Sequence, residues 1–134
     1  MGYAMNSNVP FFCFVALLGF GLGTAGAAAH SRLTKSDPAA RAVLDEAPKE
    51  LKLWFNEQVE PAFAKMWIGA EDGSCIEQKT CVALTSRGDS SDPKLLVVTL
   101  PDNVPAGVVV IGYHVLSVDG HTVDDKLSFT VKPK

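Results

Sequence analysis

The chain has 134 residues, with 12 basic side chains against 15 acidic ones and a formal net charge of −3. That length suits one small domain, and a mildly acidic balance without any basic run excludes a nucleic-acid-binding surface of the ordinary electrostatic kind. Every Asp, Glu, Lys and Arg lies from Arg32 onward, so the two parts of the chain differ sharply in chemistry.

The first element is the uncharged stretch Met1 to Ala29. Val9 to Gly23 forms a nearly continuous apolar run, and Ala27-Ala28-Ala29 follows it. A short apolar core ending in small residues is the pattern of a secretory signal. The run is short for a membrane span, which needs about 20 apolar residues to cross roughly 30 Å of hydrocarbon. No Lys or Arg precedes the core, so an uncleaved anchor is the alternative. Ala27-x-Ala29 places the cut before His30, whereas Ala25-x-Ala27 would place it before Ala28. The expected division is a cleaved signal over residues 1–29 and an exported domain over residues 30–134.

Strand signals dominate that domain. His30 to Leu33 is expected at a sheet edge, and Asp37 ahead of Pro38 could cap one helical turn over Ala39 to Leu44. Leu51 to Phe55 alternates and then runs apolar, Ala62 to Ala70 reads as a second strand, and Glu71-Asp72-Gly73 forms a turn. Cys81 to Leu84 is a short candidate, followed by a polar loop from Thr85 to Pro93. Lys94 to Leu100 is rich in β-branched residues, Pro101 to Gly107 is a turn, Val108 to Ser117 is the strongest strand, and Leu127 to Val131 closes the chain. Six or seven short strands predict an all-β fold, a small Greek-key β-barrel or sandwich of immunoglobulin-like or cupredoxin-like type.

Few residues carry chemistry. Cys13 would leave with the signal, and the exported part keeps Cys75 and Cys81, with five residues between them. In an oxidising compartment this pair is read first as a disulfide, with a thiolate site for Cu(I) as the alternative. The chain has three histidines. His30 would be the new terminus, where its amine and its ring Nδ1 hang from one Cα and can chelate one metal. Asp119 and His121 flank Gly120 after the strongest strand, and in extended backbone such i and i+2 side chains point the same way. His30, Asp119 and His121 together offer three nitrogens and one oxygen, which suits tetragonal Cu(II) better than Cu(I), while Zn(II) accepts the same ligand types. The plain reading of Asp-Gly-His is a turn tripeptide. His114 lies on the strand itself, near the site or on its other face.

Three blocks resemble a known family. Leu33-Thr34-Lys35-Ser36-Asp37-Pro38-Ala39 with Val43-Leu44 and Ala47-Pro48 is similar to the opening of CopC-type copper resistance proteins. Leu51 to Phe63 resembles their next block, and Ser117-Val118-Asp119-Gly120-His121-Thr122-Val123 with Leu127 to Val131 resembles their closing motif. The resemblance covers nearly the whole exported domain. It implies a Greek-key barrel, a periplasmic location, and one Cu(II) per chain held by His30, Asp119 and His121. It implies Glu57 as an acidic neighbour of the copper and a CopD-type inner-membrane protein as partner. A monomer is expected. The chain departs from the family in three places. Met66, Cys75 and Cys81 stand where some members have a methionine-rich Cu(I) segment. Tyr113-His114 replaces a Trp-Arg pair, and Arg41 replaces a glycine.

Two rival functions use the same features. A histidine terminus with a second histidine also forms the copper brace of mono-oxygenases, although an aspartate in the shell favours holding Cu(II). A metal-free immunoglobulin-like interaction module would need the strands and the disulfide alone. An enzyme is not expected.

Overall fold

The computed structural model describes residues 31–70 and 81–134. Eight strands follow one another: β1 (Leu33–Asp37), β2 (Val43–Leu44), β3 (Glu50–Phe55), β4 (Lys65–Gly69), β5 (Val82–Gly88), β6 (Leu95–Thr99), β7 (Gly107–Leu116) and β8 (Thr122–Val131). A 3-10 turn, Pro61–Phe63, leads into β4. The strands form one curled sheet in the order β1-β3-β6-β5-β4-β7-β8-β2. All neighbours are antiparallel except β2 and β8, which run parallel. The fold is all-β, as the strand pattern predicts, and takes the form of a curled half-barrel.

The curl comes from β5. Its first half pairs with β4 (Ile68 with Val82) and its second half with β6 (Arg87 with Val97), so one strand turns the corner between two packed faces. Gly88 sits where that corner meets the 3-10 turn, and a Cβ there would come within 2.6 Å of the Pro61 ring. Alternation along the long strands then fills the interior. Leu51, Leu53 and Phe55 of β3, Val109, Ile111, Tyr113 and Val115 of β7, and Leu127, Phe129 and Val131 of β8 all point inward and are buried. Phe55 and Tyr113 meet edge to face, with ring centroids 5.9 Å apart at 81°.

Three local expectations change. The polar stretch after Leu84 is strand as far as Gly88, because Thr85 to Gly88 alternate and pair with β6. Ala62 and Phe63 belong to the 3-10 turn, so the strand starts at Lys65. No helical turn forms over Ala39 to Leu44. Arg41 adopts a left-handed φ of 65°, which cannot continue a right-handed helix, and Val43 and Leu44 pair with Thr130 and Val131 instead. Among the described residues no helix is long and apolar enough to cross a membrane.

Candidate metal centre

The loop joining β7 to β8 is shaped by its own hydrogen bonds. Ser117 N–H donates to the His121 carbonyl at 2.9 Å, and Gly120 N–H donates to the Ser117 carbonyl at 2.9 Å. Gly120 has φ 89°, a left-handed value that a side chain disfavours, so the tight reversal requires glycine here. Asp119 and His121 therefore converge through a turn and not through extended backbone.

Asp119 is the centre of this loop. Its Oδ1 accepts the Ser117 hydroxyl and the His121 N–H, the latter at 3.0 Å. Its Oδ2 lies 2.9 Å from His121 Nδ1. The Ser117 hydroxyl, then the His121 N–H and imidazole, hold the Asp119 carboxyl down at about 2, so it stays ionised well into acid. Ser117 itself is buried, and its backbone bridges to Val59. The 2.9 Å between His121 Nδ1 and Asp119 Oδ2 is a spacing at which one ion, in place of a shared proton, could meet both atoms.

A second segment, Asn56 to Glu60 at the end of β3, braces the loop and the approach to β1 together. Gln58 accepts from Val118 N–H at 3.1 Å, and Glu60 N–H donates to Leu116 at 2.8 Å. On its other side, Asn56 clamps Arg32 twice: its Oδ1 accepts Arg32 N–H at 2.7 Å and its own N–H donates to the Arg32 carbonyl at 3.0 Å. Ser31 is buried, and among the described residues two buried oxygens have no hydrogen-bond partner, Ser31 Oγ and Glu57 Oε1. An orphaned carboxylate oxygen is costly unless a donor or a cation comes to it.

The residues singled out in the sequence thus fall into three groups. Asp119 and His121 are in contact, and Glu57 lies in the segment that braces their loop. His114 sits elsewhere. It alternates with the buried Tyr113 and Val115, so its ring is on the outer side of β7, where Nδ1 is 2.7 Å from Asp124 Oδ1. His30 and Cys75 lie outside the described residues. Cys81 is disulfide-bonded. Among the described residues no third His, Cys, Asp or Glu joins Asp119 and His121 to complete a metal shell. Sequence reasoning missed Ser117 and Asn56. The Ser-x-Asp spacing, in which a hydroxyl can reach a carboxylate two residues on, was the signal for the first.

A curled all-β half-barrel with a histidine–carboxylate pair on an exposed loop is the class of protein the structure defines. Within that class the chain belongs to the CopC family: the CopC domain model matches residues 33–132. The chain is 34% identical over 118 residues to Protein YobA of Escherichia coli K12, covering 88% of this chain and 91% of that one. It is 30% identical over 122 residues to Copper resistance protein C of Pseudomonas syringae pv. tomato, covering 89% and 94%. The crystal structure of CopC from Methylosinus trichosporium OB3b superposes with a TM-score of 0.66 at 33% identity, covering 78% of this chain and 95% of that one. Proteins of this family bind copper and carry out no catalysis, which sets aside the mono-oxygenase reading.

Proposed function

We propose that this protein is exported, is cleaved before His30, and carries one Cu(II) ion between that terminus and the β7–β8 loop. The ligands are the His30 amine and Nδ1, one imidazole nitrogen of His121, and Oδ2 of Asp119. Glu57 lies beside the ion and balances its charge. One observation carries the reading: the Asn56 to Glu60 segment bonds both Arg32 and the loop that holds Asp119 and His121. The 56–60 corner thus ties the residues that would follow such a terminus to the loop of Asp119 and His121.

The donor set favours Cu(II). Nitrogen and oxygen ligands without thiolate or thioether suit Cu(II) over Cu(I), and the Irving–Williams order places Cu(II) above Zn(II) for such a site. Asp119, already ionised at acid pH, needs no proton displaced before it binds. The half-exposed His121 and Asp119 leave the ion near the surface, as handover to a second protein requires. The family resemblance supports a CopD-type inner-membrane protein as the partner.

Intact mass and Cu(II) titration of the exported protein test this together. A mass starting at His30 with one tight Cu(II) per chain is the expected result. A different start, or no tight copper, removes the amine ligand and leaves a β-domain whose family trait has been lost.

A further inference from the structure

The curled sheet does not close on itself. Its order begins with β1 and ends with β8 and β2, and a cleft lies between the start of β1 and the β7–β8 hairpin. This cleft has a volume of about 520 Å³, within the size range of small-molecule sites. Its lining combines two chemistries. Arg32, Arg41 and Lys126 supply positive charge, while Leu33 and Leu127 supply apolar wall.

The one acidic group in the lining is already committed. Asp125 Oδ1 accepts Lys126 N–H at 2.8 Å, and its carboxylate also accepts the phenol of the buried Tyr113. The same bond takes up the Lys126 backbone amide, which disfavours an added peptide strand along β8. Among the described residues the cleft lacks a negative partner for its guanidinium groups.

Arg41 is held at this place against its backbone preference. Its φ of 65° is a left-handed value where glycine is at ease and a long side chain is not, and its N–H donates to Ser128 at 2.6 Å, fixing it beside β8. Strain kept at a charged residue that lines a cavity points to use of that charge.

We propose that this cleft binds a small monocarboxylate with a short aliphatic body, its carboxylate paired with the Arg41 and Arg32 guanidiniums and its chain against Leu33 and Leu127, which share the inward side of the sheet. Arginine forks match a carboxylate in two parallel hydrogen bonds, and the apolar wall accounts for the body. This site is separate from the copper loop, and its occupancy does not depend on that reading.

The test is a titration of the purified, copper-free protein with sodium octanoate below its micelle concentration, followed by backbone amide shifts. Saturable shifts at Arg41, Leu33 and Leu127 are expected. Acetate, which lacks the body, and 1-octanol, which lacks the charge, should each bind at least about tenfold more weakly, the scale on which losing one charged contact is read. R41G should weaken octanoate by a similar factor while its melting temperature holds or rises, because glycine accepts the left-handed backbone. Octanoate binding that R41G leaves unchanged, or that 1-octanol matches, would overturn the proposal, as would an absence of saturable shifts.

Discussion

The protein contains two histidine–aspartate pairs of nearly equal geometry, and they have different surroundings. His121 and Asp119 lie 2.9 Å apart in the β7–β8 loop, and His114 and Asp124 lie 2.7 Å apart across the β7–β8 ladder. The ladder pair follows from register alone, since His114 and Asp124 are direct cross-strand partners on the outer side of the sheet. The loop pair is built by other residues. A buried serine fixes one carboxylate oxygen, a left-handed glycine makes the reversal, and a neighbouring corner bonds the loop to the first residues of β1's approach. A contact between the right residue types is therefore weak evidence for a metal site. The support behind the carboxylate is what separates the two pairs.

The largest expected effect comes from removing a loop-side ligand. His121→Ala, or one extra residue ahead of His30, should weaken Cu(II) by more than the 10- to 100-fold that loss of an outer partner of a metal ligand typically costs, so by roughly 100-fold or more. Competitive titration against a chelator of known affinity measures this. Equal losses for His121→Ala and His114→Ala would break the distinction between the pairs. The same titration across pH sharpens it. Free amines titrate at about 7.7–8.0 and imidazoles at about 6.5, so affinity should climb steeply between roughly pH 5 and 8 as protons leave the nitrogen ligands. Asp119, held at about 2, contributes nothing to that slope.

Next in size is a substitution that damages the ladder while sparing the loop. Gly112 lies on the outer side of β7, and a Cβ there would come within 2.4 Å of the Trp67 indole. Gly112→Ala must displace that ring, and overpacking of this kind costs about 1–3 kcal/mol. Urea unfolding should show the loss, while Cu(II) affinity of the folded protein stays within about twofold, a shift below 0.5 kcal/mol on the scale where tenfold is 1.4 kcal/mol. A parallel collapse in copper binding would mean that the outer side of the sheet shapes the loop after all.

Much of this was legible in the sequence. The runs Leu51 to Phe55 and Val108 to Ser117 mark two strands, and the alternation at the start of the first marks its inward face. Asp-Gly-His marked the loop, since few other short strings place a carboxylate and an imidazole around a glycine. What was hidden depends on contacts distant along the chain. Thr85 to Gly88 looks like a polar loop and becomes strand because β6 lies beside it. Ala39 to Leu44 carries helix-start residues and turns the other way because Arg41 and Val43 bond to β8. The face taken by His114 needed the register of β7, and the double clamp of Asn56 on Arg32 joins residues 24 apart.

A smaller effect is expected from Ser117→Ala, which tests the support behind Asp119 directly. Removing the hydroxyl deletes the largest cause of the lowered Asp119 carboxyl, which should rise from about 2 toward its ordinary 3.8. A carboxyl lowered by folding stabilises the fold above its unfolded value and loses that contribution as pH falls through its folded value. The acid limb of the stability curve between about pH 4 and 2 should therefore flatten in the variant. Carbon-detected titration of the Asp119 carboxyl checks the shift, and Cu(II) affinity near neutral pH should fall by about tenfold, the lower end of what outer partners contribute. An unmoved carboxyl would mean that the His121 N–H and ring hold it alone.

The smallest effect belongs to His114. Its partner Asp124 is largely exposed, with 69% of its side chain open to solvent, and His114 is itself one-third exposed. Exposed ion pairs of this sort contribute about 0–1 kcal/mol, so His114→Ala should barely move the unfolding midpoint. Copper affinity should change by less than about twofold, because the ring lies on the outer side of β7 while Ser117 and the loop it supports are tied to the inner side. A loss comparable to that of Ser117→Ala would place the outer imidazole in electrical contact with the ion. The chelator titration of His114→Ala beside Ser117→Ala therefore decides whether the two sides of this one hairpin are independent.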